Sequence, residues 1–323
     1  MRLGNLFLLE GNLRPIWRCL LSLALAFLAS SLAGAAYFLA GGARDLSSRV
    51  DARYGFLNFL VLSALLGAFK IMTRVFEHKP LGVIGLAFHP GWVNELCLGL
   101  GIGVSMMVSV GGAEALLGLA RFSPNTFPVR TELAYGGGLL LLLSISATNE
   151  ELIFRGYPFQ KLVESMGPPG AVAVSSACFG LVHLGNPHHT LISTVNTMLV
   201  GIPFSIAYLR TRSLWMPVGM HFTWNYLQGF VLGLPVSGLT LSPSVLHAQI
   251  HDAARLTGSD YGPEGGLLST AVFVGAGLCL FLSPRIKISE RMKELVFGPS
   301  LDAATDAPVH ILPGPDSEQD GPT

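Results

Sequence analysis

Residues 136–155 read Gly136-Gly137-Gly138-Leu139-Leu140-Leu141-Leu142-Leu143-Ser144-Ile145-Ser146-Ala147-Thr148-Asn149-Glu150-Glu151-Leu152-Ile153-Phe154-Arg155. An apolar run of helix length ends on two carboxylates and, four residues later, a guanidinium. An ionisable group at membrane depth costs about 2.5–3.5 kcal/mol on insertion scales, so its presence there points to function. On a helix, residues four apart share a face and adjacent residues diverge by roughly 100°. Glu151 and Arg155 are therefore placed to pair, and Glu150 is left to face a cavity.

Composition agrees with a membrane setting. Of 323 residues 50% are hydrophobic and 12% charged, where soluble domains carry about 25%. The mean hydropathy is +0.54. With a formal net charge of +0, nucleic acid binding has no electrostatic support. The four cysteines, Cys19, Cys97, Cys178 and Cys279, lie in separate apolar segments without a CxxC pair, which suggests neither disulfides nor a zinc knuckle.

A spanning helix needs about 20 mostly apolar residues. The candidates are Ile16–Ala40, Tyr54–Thr73, Trp92–Ala120, Tyr135–Phe154, Gly170–Leu184, Thr190–Leu209, Leu214–Leu234 and Gly265–Leu282. The third is long enough to tilt or break near its glycines, and the fifth is short. The fold class expected is an all-α polytopic membrane protein, a bundle of about eight transmembrane helices with a polar intramembrane cavity. Residues 1–297 form the helical domain, with a motif-bearing core at about 135–234, and 298–323 a disordered cytoplasmic tail. The first segment reads as a retained span rather than a signal peptide. Eight spans put both termini on one side. Taken as cytoplasmic, that side holds fourteen Lys and Arg, Arg155 among them, against six outside, as the positive-inside rule requires. The expected location is a bacterial inner (cell) membrane.

Two further apolar segments carry histidines. Phe179-Gly180-Leu181-Val182-His183 sets an aromatic beside an imidazole, and His221-Phe222-Thr223-Trp224-Asn225 puts His221 and Asn225 on one face. One free carboxylate, two imidazoles and a carboxamide suit water-mediated hydrolysis. The carboxylate serves as general base, and N–H groups donate to the oxyanion that develops on a carbonyl. Each residue alone has a plainer reading: glutamates that reach the interface, or a histidine and an asparagine that join helices. Their joint occurrence favours chemistry. His188 and His189 read as loop residues, and Glu95 and Glu114 as interfacial. His247 and His251 read as a surface turn of the long Pro235–Pro263 loop. Arg285–Phe297 reads as a helix lying on the membrane or as a solvated helix end.

At these residues the sequence resembles the CPBP family of intramembrane proteases, the Abi proteins, which include the type II CAAX prenyl endopeptidases. The likeness covers about Leu139 to Phe230. It rests on Glu-Glu-x-x-x-Arg at Glu150 to Arg155, Phe-x-x-x-His at Phe179 to His183, and His-x-x-x-Asn at His221 to Asn225. The neighbouring Arg155-Gly156-Tyr157 and Ser213-Leu214-Trp215-Met216-Pro217 agree. The resemblance implies eight helices, a cavity near the cytoplasmic face, and glutamate-dependent peptide hydrolysis with neither metal nor cofactor. Glu150 would be the general base and His183 would assist it with the water. His221 and Asn225 would form the oxyanion hole, with Glu151, Arg155 and Phe179 supporting. The partner is a peptide or protein, with lipidated and membrane-embedded ones included. The rivals are a zinc protease with Glu150, His183 and His221 as ligands, a membrane scaffold or immunity-type protein, and a proton-coupled transporter. No His-Glu-x-x-His is present to favour the first.

Overall fold

The structure is a computed structural model and describes residues 4–40, 52–251 and 254–299. The tail expected at 298–323 therefore lies almost entirely outside the described residues, as do Arg44 and Arg49. Eight helices build the bundle: α1 Pro15–Leu39, α2 Ala52–Phe76, α3 Trp92–Leu116, α4 Val129–Arg155, α5 Tyr157–Val182, α6 Leu191–Thr211, α7 Trp215–Tyr226 and α8 Leu267–Leu282. A ninth, α9 Glu290–Phe297, packs Met292 inward at the foot of the bundle. Among the described residues, α1, α3 and α6, the stretch Arg53–Phe76 within α2, and the stretch Val129–Gly185 spanning α4 and α5 are long and apolar enough to cross a membrane, and α8 is shorter. Phe27, Val108, Leu141 and Leu278 are exposed, whereas Asn149, Glu151, Arg155 and His221 are buried. Apolar side chains outward and polar side chains inward is the pattern that a hydrocarbon solvent imposes. The chain is an all-α polytopic membrane protein.

Of the tilt or break expected near the glycines of α3, the break does not occur: the helix runs continuously to Leu116, and those glycines are used for contact. A Cβ on Gly99 would meet the Met216 carbonyl oxygen at 2.2 Å, and one on Gly103 the Met220 carbonyl oxygen at 2.7 Å. The small-xxx-small spacing lets α3 and α7 approach backbone to backbone. This seam fixes the height and rotation of α7, and with it His221.

The path of α5 decides whether His183 can reach α4. A straight helix of that length would span about 39 Å and carry His183 away from Arg155. Two breaks prevent this. Gly156 leaves helical geometry, and Gly167, at φ 76° and ψ 166°, precedes Pro168-Pro169. The first half, with Lys161 and Glu164, runs away from α4, and the second half returns until His183 lies beside Glu150.

The bundle has two unlike ends. At one end Glu77 Oε1 receives the Tyr157 hydroxyl (2.8 Å), Lys161 Nζ (3.0 Å) and Arg18 Nη1 (3.2 Å). Lys79 Nζ donates to the Val296 carbonyl, and Arg210 donates to the carbonyls of Phe281, Ser283 and Ile286. The beginning of α1 and all of α9 lie here. At the other end β1 Ala120–Pro124 pairs antiparallel with β2 Leu246–Ile250, and the 232–266 connection lies over the helix ends. The turn expected around His247 and His251 is thus an extended strand, because pairing with β1 satisfies its backbone. Glu114, expected at an interface, is fully buried in α3. Arg155, counted above with the cytoplasmic charges, is inside the bundle.

Two outcomes follow from this packing. Gly99→Ala is expected to destabilise the protein by about 1–3 kcal/mol through overpacking, whereas Gly101→Ala, whose Cβ meets open space, is neutral or slightly stabilising. Unfolding in detergent compares them. Burial pushes the Glu77 carboxyl up, but Lys161, Tyr157 and Arg18 outweigh it and hold it below the ordinary carboxylate range. Its stabilising contribution is therefore present above the unfolded value of about 4.3 and lost as pH falls through the lower folded value. Glu77→Gln should cost about 1–3 kcal/mol at neutral pH, and the gap to the parent should close in acid.

Candidate active site

Glu150, from α4, places its Oε2 3.8 Å from His183 Nε2, just past α5, and 3.8 Å from His221 Nε2 on α7. That distance is too long for a direct hydrogen bond and suits one atom bridging each gap. The second nitrogen of each ring is already engaged. His183 Nδ1 lies 2.6 Å from the Phe179 carbonyl, and His221 Nδ1 lies 2.9 Å from Glu151 Oε1. Both acceptors lack a proton to give, so both Nδ1 atoms donate. Each Nε2 therefore turns a lone pair toward Glu150 when the ring is neutral.

Glu151 is the hinge of this arrangement. It is fully buried, and Arg155 Nη1 reaches the same Oε1 at 3.3 Å. The pair foreseen from their spacing forms, while the bridge from Glu151 to His221 joins two helices and has no signal in local sequence. Arg155 also donates to the Gly201 carbonyl (3.0 Å) and to Ser205 Oγ (3.4 Å) on α6. Its guanidinium lies over the rings of Phe179 at 4.6 Å and Phe204 at 5.4 Å. Phe204 in turn stacks on His221 at 5.3 Å and 17°, and Phe179 meets His183 edge-on at 4.8 Å. Two aromatic plates thus separate the buried cation from the two imidazoles and hold both rings. Phe204 sits in an ordinary apolar helix, which gave no reason to single it out.

Glu150, His183, His221 and Asn225 all line one cavity of about 360 Å³. Its other walls are mostly apolar, including Leu142, Val200 and Phe273. The cavity is roofed by the 232–266 connection, which contributes Val236, Ser237, Leu241 and a carboxylate, Glu264, that the sequence reading passed over because it belongs to no motif. Past Tyr226, α7 widens into a π turn over Leu227–Val231, with Leu232 N–H donating to the Leu227 carbonyl. The turn directs Gln228 Nε2 to Glu264 Oε2 at 2.6 Å, and Trp224 Nε1 reaches Oε1 at 3.4 Å. Burial pushes the Glu264 carboxyl above its ordinary value in spite of these donors. Asn196 Nδ2 holds the carbonyls of Glu264 and Gly266, both at 2.8 Å. His188 and His189 lie in the α5–α6 loop outside this cavity. Among the described residues, no group of three or more His, Cys, Asp or Glu side chains is set to hold a metal ion.

A carboxylate between two imidazoles with fixed tautomers, inside a helical membrane bundle, is what the three motifs assemble. Residues 134–227 match the family model for type II CAAX prenyl endopeptidase, Rce1-like. The matched stretch holds all three motifs, and the likeness drawn from them stands over that stretch. A Bacillus subtilis (strain 168) protein named "Putative membrane peptidase YdiL" is 30% identical over 112 residues, which is 34% of this chain and 43% of that protein. The chain thus matches less than half of the length of that relative. No solved structure gives a significant match.

The 232–266 connection that roofs the cavity lies at one end of the bundle, and the beginning of α1 and all of α9 lie at the other.

The buried pair makes a further outcome testable. Arg155→Ala should destabilise by about 3–5 kcal/mol, because it leaves a buried carboxylate without its cation. Adding Glu151→Gln to that variant should recover part of the loss, as read by unfolding in detergent.

Proposed function

We propose that the chain is an intramembrane endopeptidase that hydrolyses a peptide bond with water activated by Glu150. The observation that supports this reading is the placement of the Glu150 carboxylate equidistant from two imidazoles in a mostly apolar cavity. A water accepted there donates one proton to Glu150 and the other to His183 Nε2, whose lone pair is turned inward by the Phe179 carbonyl. Its oxygen attacks the substrate carbonyl carbon, the C=O π electrons move to oxygen, and Glu150 takes up the proton. Asn225 donates its amide N–H to the oxyanion. His221 donates from Nε2 only as imidazolium, since its Nδ1 proton is committed to Glu151, and Glu151 is positioned to balance that charge. Glu150 then delivers its proton to the leaving amine as the C–N bond breaks.

The Rce1-like match and the likeness to a protein named as a membrane peptidase support the reaction class. In this reading Glu151, Arg155 and Phe179 position the imidazoles, the substrate is a peptide or protein that reaches the membrane, lipidated ones included, and no cofactor is needed. The zinc-protease rival would draw on these same three side chains, Glu150, His183 and His221, as ligands. Activity that survives a chelator, in protein free of bound metal, supports glutamate chemistry, and activity lost to the chelator and restored by zinc supports the rival.

Glu150→Gln should lower turnover by about 10²–10⁴-fold with folding intact. Asn225→Ala should lower kcat by about 10²–10³-fold with KM little changed. Mass spectrometry of membrane peptides from cells that carry the parent or Glu150→Gln is the check. New termini formed only with the parent are expected, and identical termini in both would overturn the proposal.

A further inference from the structure

We infer that the cavity is served from the extracytoplasmic side of the membrane, and that its substrate is an extended apolar polypeptide segment presented there. The inference rests on the peptidase reading for the word substrate, while the orientation stands on charge and topology alone. The basic end of the bundle carries Lys70, Arg74, Lys79 and Lys161, and there Arg210 sits in the last turn of α6 with Arg212 just past its end. Arg285, Lys287, Arg291 and Lys293 extend the series beyond α8. At the other end, the α5–α6 loop has neither Lys nor Arg, the 232–266 connection has Arg255, and the α2 start, the α3–α4 connection and the α4 start add Arg53, Arg121 and Arg130. Short flanks rich in Lys and Arg stay cytoplasmic, and moving Arg155 from the cytoplasmic count into the bundle does not disturb the asymmetry. The cavity lies under the less basic end. Val236, Ser237 and Leu241 form its roof, and Pro187 of the α5–α6 loop abuts Gly238 of that roof.

The volume and walls define what can enter. About 360 Å³ lined by Leu142, Val200, Phe204 and Phe273 accommodates a few side chains of an unfolded strand, not a folded domain. Val182, which lines the cavity, is 61% exposed at the bundle surface, so this wall also borders lipid. A segment that leaves the outer leaflet in extended form meets both conditions. A lipidated C-terminal cysteine on a cytosolic protein would lie on the wrong side.

The experiment uses the full chain in cells, with the four native cysteines replaced by serine. Single cysteines are placed at the roof (Leu239→Cys) and on α9 (Arg291→Cys), both at exposed positions. A membrane-impermeant maleimide is expected to label Leu239→Cys in intact cells and Arg291→Cys only after permeabilisation. The reverse pattern would overturn the inference. A second readout covers failure of the roof cysteine to react. A fluorescent protein fused to the C-terminus and folding only in the cytoplasm should fluoresce, and an alkaline phosphatase in its place, active only outside, should stay silent. Phosphatase activity would overturn the orientation. Neither readout depends on turnover, so an inactive parent protein would sink the peptidase reading and leave the orientation standing, and the reverse holds as well.

Discussion

The buried ion pair of Glu151 and Arg155 is the constraint on which the rest of this structure depends. Removing two charges from water costs several kcal/mol per ion even after relaxation. That cost is offset in part by the further donors and acceptors that the pair engages. Arg155 spends its hydrogens on Glu151, the Gly201 carbonyl and Ser205, and its faces on Phe179 and Phe204. These contacts tie α4 to α6 and to the returning half of α5. The same carboxylate takes the His221 Nδ1 proton, which ties in α7. Since Glu150 is the next residue on the same helix, its direction is a consequence of the pair and needs no device of its own.

The division of the molecule into two ends follows from solvent. Lipid tolerates only apolar side chains around the perimeter, so polar groups gather inside or at either end. One end is an ionic clamp around Glu77 that holds α1, α2 and α5. The other is a small sheet and a long connection whose backbone is satisfied by β pairing and by the Asn196 amide. The cavity belongs to the second end, where the fold offers replaceable loop rather than packed helix.

Much of this was legible in the sequence because helical spacing is local. Glu151 with Arg155, Phe179 with His183 and the cavity-facing Glu150 all follow from residues four apart or one apart. Apolar length located α1, α2, α3, α6 and α8 to within four residues, whereas α4 begins six and α5 thirteen residues earlier than expected and α7 ends eight residues earlier. Contacts between distant segments were not legible. The bridge from Glu151 to His221, the Phe204 plate and the Glu264 carboxylate depend on how α4, α6, α7 and the roof meet, and no local period encodes that. Gly167-Pro168-Pro169 stood in plain view as a break, yet only its geometry reveals that α5 doubles back. The strand at Leu246–Ile250 was read as a turn because its partner, Ala120–Pro124, lies more than a hundred residues away.

The π turn after Tyr226 contains one residue more than a regular helix would need. His221 and Asn225 precede it, whereas Gln228, which grips the roof through Glu264, falls inside it. The extra residue thus works as an index mark between the His221–Asn225 face and the grip on the roof. Deleting one position there would let the helix close up and rotate the grip by roughly 100°, with His221 and Asn225 unmoved. The bearing of Gln228 relative to His221 and Asn225 is thus set by a single inserted amino acid.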